Sequence, residues 1–404
     1  MLTHAEAKQQ ILETAGPLST EECAFSELRG RVLAETIQAP HGMPLFDNSS
    51  VDGYAVRAAD VVEASPEHPV SLKRLGYIPA GDSGDFELRQ GECVQIATGA
   101  PLPQGADAVV MKEDCAASEA QIEVRLAVRV AENVRFQGED IQAGEELLAP
   151  GQLLGASQLA VLATMGFPRV TTFRRLTASV VSTGSELLEI DQTPGPGQIR
   201  ESNRFMLEAL LLEEHCQVPL VTKAPDEETA LRDVFEQALS CDLALISGGV
   251  SVGEKDLTKR VLEEMGVEGI FWKVRVKPGK PLFFGRRGET IVFGLPGNPA
   301  SSFVLFEEFV RPALRQMQGR SVLEEPMVSA TLEDDLRESA NRMQFLRAQV
   351  RFAQGRYWVR PLPMQGSHSI SSLVRGNALI RVEPDSGIIP AGTSMPVRLL
   401  QNEI

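Results

Sequence analysis

The chain has 404 residues, 43% of them hydrophobic and 23% charged, with a formal net charge of −16. That length predicts more than one domain, and the composition is that of ordinary globular proteins. The acidic balance argues against general nucleic-acid binding, which needs a basic face, and no apolar run approaches the ~20 residues that span a bilayer.

The first residues, Met1-Leu2-Thr3-His4-Ala5-Glu6, lack the basic-then-apolar order of a signal peptide. Cys23, Cys93, Cys115, Cys216 and Cys241 are scattered and form no CxxC. They predict reduced residues in a cytoplasmic protein, with neither a zinc site nor a disulfide framework. Residues 4–39 read as helix-rich. Residues 50–140 carry short alternating runs such as Ile122-Glu123-Val124-Arg125-Leu126, broken by Gly, Pro and Asp, which predict half-buried antiparallel β structure. A short helix follows over 157–166, with Ser157 as its cap and Gly166 as its stop.

From Thr177 the texture changes. A strand over 178–181, an amphipathic helix over 203–216 and a short strand over 218–221 come first, and Pro219 marks that strand as irregular or an edge. The pattern repeats with a helix over 226–240 capped by Asp226, a buried strand over 243–246 and a helix over 256–265 ahead of Gly266. Alternating strands and helices predict a parallel, doubly wound sheet. Thr193-Pro194-Gly195-Pro196-Gly197 is a loop insertion. An apolar run at 291–293 leads into Leu295-Pro296-Gly297-Asn298-Pro299 and then a long helix to Met317. Asn298 sits at the cap position and Pro299 at the first helical position, where its missing N–H costs nothing. The stretch 325–404 returns to short strands and predicts a small all-β domain.

Ligands of open α/β sheets bind beyond the carboxyl ends of the strands. Three glycine-containing loops fall there: Ser182-Thr183-Gly184-Ser185-Glu186, Ser247-Gly248-Gly249-Val250-Ser251-Val252-Gly253-Glu254-Lys255-Asp256, and Gly294-Leu295-Pro296-Gly297-Asn298-Pro299. Glycine lets a ligand approach the backbone, and free N–H groups suit phosphate or another oxyanion. Neither GxxxxGK[ST] nor GxGxxG is present, so a phosphate- or pterin-type ligand in an uncommon loop set is expected. Lys277-Pro278-Gly279-Lys280-Pro281 presents two ammonium groups from a proline-stiffened loop. Asp52, Asp140, Glu186, Asp226 and Asp256 lie in turn-rich segments or at these loops. Several acids near an anion site make sense if a hard cation such as Mg²⁺ joins them. His368, in a polar loop, reads as a surface residue.

The segments PLFDNSSVDGYAVRAAD, ATGAPLPQGADAVVMKED, RFQGEDIQAG, VVSTGSEL, LISGGVSVGEKD, KPGKP, GLPGNPAS and QGSHSISS together resemble the molybdopterin molybdenumtransferase family (MoeA, related to the E domain of gephyrin). The resemblance implies an α/β multidomain chain with a molybdopterin-binding doubly wound α/β domain at 176–322. It further implies a discontinuous helical dimerisation domain at 1–43 and 141–175, an inserted β domain at 44–140 and a C-terminal β-barrel at 323–404. It implies a homodimer whose active site lies between the α/β domain of one subunit and the inserted domain of the other. The implied reaction takes molybdate and adenylylated molybdopterin as substrates, inserts the metal and releases AMP with help from Mg²⁺. By motif, Asp52, Asp140, Glu186, Asp226, Asp256, Lys277 and Lys280 would be catalytic, with Glu186, Asp226 and Asp256 toward the metal. Thr98, Ser182, Thr183, Gly184, Gly248, Gly249, Ser251, Gly253, Pro296, Gly297, Asn298 and Ser371 would bind substrate, and Arg342 or Arg347 would join them. An adenylyltransferase that supplies the substrate is the implied protein partner. One departure stands out: the family often has an acidic residue where Ser185 precedes Glu186. Two other activities share such a fold, the adenylylation of molybdopterin by ATP and non-catalytic scaffolding of partner peptides.

Overall fold

The computed structural model describes residues 1–249, 257–338 and 341–400. Ser251, Gly253 and Asp256 lie outside the described residues. The chain divides into two compact units, one of Met1–Glu35, Pro150–Leu159 and Pro168–Ile404, the other of Thr36–Ala149 and Ala160–Phe167.

The smaller unit is built on a six-stranded sheet, ordered Ala108–Met111, Gly53–Val56, Glu92–Ile96, Val70–Ile78, Gln121–Val124, Cys115–Ala117. Successive residues feed two cores. Tyr54, Val56, Cys93 and Val110 face one cluster, while Ala55, Val94, Ile96 and Val109 face the other. That is period-2 side-chain alternation with apolar residues on both faces. The expectation of half-buried antiparallel structure is therefore corrected in two respects. The central strand Gly53–Val56 is buried throughout, and Val70–Ile78 pairs with Glu92–Ile96 in parallel. The outer strand Gln121–Val124 does alternate exposed and buried positions as read from sequence.

In the larger unit, the helix-rich reading of 4–39 holds only for His4–Thr14, which Thr3 and Glu6 start with a capping box. After Gly16-Pro17 the chain turns extended, and Thr20–Ala24 pairs with Arg169–Phe173. Proline and the β-branched and polar residues that follow disfavour a continued helix.

The site is carried by a six-stranded sheet whose strands, in chain order, are β1 (Thr177–Thr183), β2 (Gln217–Ala224), β3 (Leu243–Ser247), β4 (Glu268–Lys273), β5 (Pro281–Arg287) and β6 (Thr290–Leu295). Their spatial order is β2-β1-β3-β6-β5-β4. β2, β1, β3 and β6 run parallel, and β5 and β4 are antiparallel additions. β2 is the edge strand, and its register with β1 slips between the Gln217 and Leu220 pairings, where Pro219 lacks an N–H to donate. One face of the sheet (Val180, Leu245, Phe293) packs on Leu207, Leu211, Val304 and Phe309; the other (Val181, Ile246, Val292) packs on Leu231, Phe235 and Val261. Helices thus cover both faces, the doubly wound arrangement that places three parallel-strand carboxyl ends side by side. The helical run from Pro299 to Met317 passes through a π-helical turn at Phe306–Val310.

The C-terminal region closes a five-stranded barrel from Val328–Leu332, Met343–Ala353, Arg356–Pro361, Ala378–Val382 and Ser394–Leu399, because Met343–Ala353 pairs with both its neighbours in the ring. Closure leaves no barrel edge unpaired.

Asp242, just before β3, ties the amino end of the sheet together. Its Oδ2 accepts from Arg174 at 2.7 Å, from the Thr177 amide at 2.9 Å and from the Thr177 hydroxyl at 2.8 Å. Burial pushes its pKa up, but these donors outweigh burial and hold it below the ordinary 3.8. Asp242→Ala is expected to lower stability by about 1.5–3 kcal/mol at pH 7. A depressed carboxylate contributes stability above its unfolded-state value and loses it as pH falls through the folded-state value. Urea unfolding should therefore show the wild-type advantage shrinking below pH 3.8; a pH-independent advantage would contradict this role.

Candidate functional site

The loops after β1, β3 and β6 line one cavity of about 750 Å³. That volume suits a ligand the size of a small cofactor. Ser182, Thr183 and Gly184 come from the first loop, Ser247, Gly248 and Gly249 from the second, and Pro296, Gly297 and Asn298 from the third. The glycines are sterically required here. Gly248 has φ +93°, and a Cβ on it would lie 2.3 Å from the Thr183 carbonyl oxygen. A Cβ on Gly249 would lie 2.1 Å from the Thr258 hydroxyl.

Two side chains absent from the sequence-predicted set lock these loops together. Asn203 donates from Nδ2 to the Ser247 hydroxyl at 2.8 Å and to the Gly297 carbonyl at 2.9 Å, joining the second and third loops. Glu201, 3% exposed, accepts from the Ser182 hydroxyl at 2.9 Å and from the Arg204 amide at 2.9 Å. Its carboxylate thereby fixes the end of β1 to the positive start of helix Asn203–Glu213. Both residues lie in Gly197-Gln198-Ile199-Arg200-Glu201-Ser202-Asn203, behind the Pro-Gly insertion. Their signal was a polar cluster at a helix start, which ordinary capping also produces.

Glu186 and Asp226 line the same cavity, and both are exposed. Asp226 is not the helix cap expected from sequence. The helix spans Glu228–Ala238, Glu227 holds the cap position, and no side chain caps it. Among the described residues Asp226 instead has a backbone tether, its amide donating to the Ser185 hydroxyl at 3.3 Å. So Ser185, the departure from the family pattern, holds the loop that carries Asp226. Asn298 does occupy a cap position with Pro299 behind it, but its side chain makes no capping bond. Its Nδ2 donates to the Ser367 hydroxyl at 3.1 Å, and the Ala300 amide donates to the Ser367 carbonyl at 3.1 Å. These bonds draw in the 366–370 loop, so His368 and Ile370 complete the wall. Arg347, 1% exposed, supports that loop from behind through the Gly366 carbonyl (2.9 Å) and the Ser372 hydroxyl (3.1 Å). Burial pulls its pKa down to about 10. Ser371 starts the short helix Ser371–Arg375 next to the wall residue Ile370 and is not itself in the wall.

Neither expected lysine is among the described wall residues. Lys277 lies on Val276–Lys277, paired with Met343 and Gln344, and Lys280 is exposed, one residue before the wall residue Pro281. Among the described wall residues the lysine or arginine is Arg200. No group of three or more His, Cys, Asp or Glu suited to a metal occurs among the described residues.

The smaller unit holds a second set of predicted residues. The Asp52 carboxylate accepts from the Thr98 amide at 2.7 Å and from the Thr98 hydroxyl at 2.9 Å. These two donors, with the more distant Lys112, hold its pKa below the ordinary value. Asp140 is exposed, with its amide donating to the Met43 carbonyl at 3.0 Å. The segments bearing the two acids are laced together: Val134–Arg135 pairs with Asn48–Ser49, and the Gln137 amide donates to Asp47 at 2.8 Å. Within this unit, sequence-distant acids are thus set on adjoining loops.

Glycine-lined turns beyond a doubly wound sheet, with an arginine and two carboxylates that have no side-chain partner among the described residues, form one cavity of the kind in which open α/β folds bind small molecules. The chain as a whole has well-matched relatives. The "MoeA N-terminal region (domain I and II)" matches residues 2–166, the "probable molybdopterin binding domain" residues 179–316 and the "MoeA C-terminal region (domain IV)" residues 329–400. The molybdopterin molybdenumtransferase of Haemophilus influenzae is 37% identical over 402 residues, covering 98% of each chain. That of Bacillus subtilis is 33% identical, covering 98% of this chain and 94% of the relative. The crystal structure of the molybdopterin biosynthesis MoeA protein from Pyrococcus horikoshii superposes with a TM-score of 0.83 at 30% identity, over 99% of this chain and 100% of that one. The chain belongs to the MoeA family.

Thr98→Val removes one of the two Asp52 donors and leaves the amide. In an NMR titration the Asp52 pKa should rise toward 3.8 yet stay below it. An unchanged value would mean that the hydroxyl does not act on this carboxylate.

Proposed function

We propose that the chain is a molybdenum-inserting transferase. Its substrates are molybdate and adenylylated molybdopterin; AMP leaves, and the dithiolene of molybdopterin receives the metal. The observation that carries this reading is the full-length match, 98% of both chains, to a molybdenumtransferase. A protein built only to adenylylate molybdopterin needs no inserted β unit or C-terminal barrel. The cavity supports the same reading, since its glycine turns and polar walls suit a pterin nucleotide with phosphates.

The residues divide by chemistry. Backbone N–H groups of the glycine loops and the Asn298 turn would hold substrate oxyanions. The Asn203 and Glu201 anchors keep those loops in place without reorganisation, which is what oxyanion stabilisation requires. Glu186 and Asp226 suit a divalent cation: both carboxylates line the cavity, and neither has an ion-pair or hydrogen-bond partner on its side chain among the described residues. Mg²⁺ is commonly held by one or two carboxylates plus substrate phosphates, so two suffice. When bound, Mg²⁺ neutralises charge on a phosphoanhydride. Asp256 is proposed to join this pair, and Lys277 and Lys280 to serve the oxyanion side. Asp52, Asp140 and Thr98 are proposed to face the substrate from the inserted unit of a partner subunit in a homodimer. A low pKa keeps Asp52 ionised at neutral pH, ready to accept hydrogen bonds or to orient water.

The four-domain partition, the adenylyltransferase partner and a cytoplasmic setting belong to the same proposal. Among the described residues no helix is long and apolar enough to cross a membrane.

The test is AMP release from adenylylated molybdopterin. It should require both molybdate and Mg²⁺. Release that ignores molybdate, or ATP consumption with unmodified molybdopterin, would refute the assignment. Glu186→Gln and Asp226→Asn should each lower turnover about 100-fold or more, a loss of some 2.7 kcal/mol of barrier stabilisation, with far-UV circular dichroism unchanged. Full activity in both variants would remove the metal role from this pair.

A further inference from the structure

The acidic cavity poses a problem for an anionic substrate. Glu186, Asp226 and Glu201 contribute carboxylates to its wall, and Arg200 is the lone fixed positive charge among the described wall residues. Oxyanions approaching such a surface need a cation, and sequence reading assigned that task to Lys277 and Lys280, neither of which is in the wall.

Arg200 has the geometry for it. Its backbone lies on Ile199–Arg200, paired in parallel with Leu187–Leu188. The Ile199 amide donates to the Glu186 carbonyl at 3.1 Å and the Glu201 amide to the Leu188 carbonyl at 3.0 Å, so the chain is fixed on both sides of the arginine. The adjoining Glu201 side chain is buried and bonded. Of the guanidinium, only Nε has a partner, donating to the Gln192 carbonyl at 3.0 Å. The two terminal nitrogens are uncommitted among the described residues, and the side chain is exposed. A guanidinium held at Nε and open along its terminal edge is the form that grips two phosphate oxygens at once.

We propose that Arg200 is the phosphate-reading residue of this cavity, pairing with the phosphoanhydride of the substrate. This rests on the transferase reading and deepens it. Arg200 makes the site selective for phosphorylated ligands, and the carboxylates serve the cation that accompanies them. An arginine that only tethers the Gln192 segment would affect charged and neutral ligands alike.

Calorimetric binding of ADP, which carries a phosphoanhydride, and of neutral adenosine separates the two roles. The probes are titrated into the full chain in excess Mg²⁺, for wild type, Arg200→Met and Arg200→Lys. ADP affinity is expected to fall about 10-fold or more in Arg200→Met, while adenosine affinity changes less than about 2-fold. Arg200→Lys should recover part of the ADP affinity, because it restores charge without the fork. In turnover, Arg200→Met should raise KM for adenylylated molybdopterin more than it lowers kcat. Equal losses for ADP and adenosine, or no loss for either, would overturn the proposal. Wild-type AMP release that depends on molybdate, alongside an unaffected Arg200→Met, would sink this inference alone. A wild type that binds neither ADP nor adenosine and releases no AMP would sink the transferase reading and the inference with it.

Discussion

Asn203 donates both of its amide hydrogen-bonding directions to other loops, one to Ser247 and one to the Gly297 carbonyl. Those loops follow β3 and β6, which pair with each other, so strand register alone brings their starts together. It does not bring their tips together. The tips meet because Gly248 and Gly249 carry no side chain where one would collide with Thr183 and Thr258, and because Asn203 bridges the gap. The cavity depends on this steric permission and this bridge. Remove either and the three backbone segments no longer line one cavity.

The same arrangement gives the cavity a polarity. The Ser185 tether holds the loop of Asp226, and the Glu186 carboxylate folds back over Gly184, where a Cβ would come within 2.7 Å of it. These acids are exposed and uncommitted, unlike Glu201, which is buried and bonded. Acids without partners suit a hard cation, whereas a satisfied acid holds structure. Arg200 supplies the opposite sign in the same wall. In a chain of net charge −16, an arginine beside these acids is what the proposed anionic substrate and its cation would need in one cavity.

Much of this was legible in the sequence, for identifiable reasons. The βα alternation after Thr177, the edge character forced by Pro219 and the loop residues at strand ends all depend on short-range pattern, and each has its counterpart in the fold. The failures share a cause in long-range context. Thr20–Ala24 is a strand because Arg169–Phe173 is there to pair with it, and Ile37–Gln38 because Glu146–Leu148 is, which no local window reveals. Asp226 looked like a cap because Asp often is one, yet the helix starts two residues later. His368 read as a surface residue, and it is exposed, but Ser367 and Arg347 steer its loop onto the cavity. Asn203 passed for the start of an amphipathic helix, and Arg200 and Glu201 just before it drew no reading. The Glu201 and Asn203 roles are set by partners 19 to 94 residues away in sequence.

The central claim is spatial: three strand-end loops and two uncommitted acids form the place where substrate sits. A ligand-bound crystal structure of the chain with adenylylated molybdopterin and Mg²⁺ tests it most directly. The account predicts phosphate oxygens against the Gly248 and Gly297 turns, with the metal touching Glu186 or Asp226. Density for the nucleotide elsewhere, with this cavity holding only water, would contradict it.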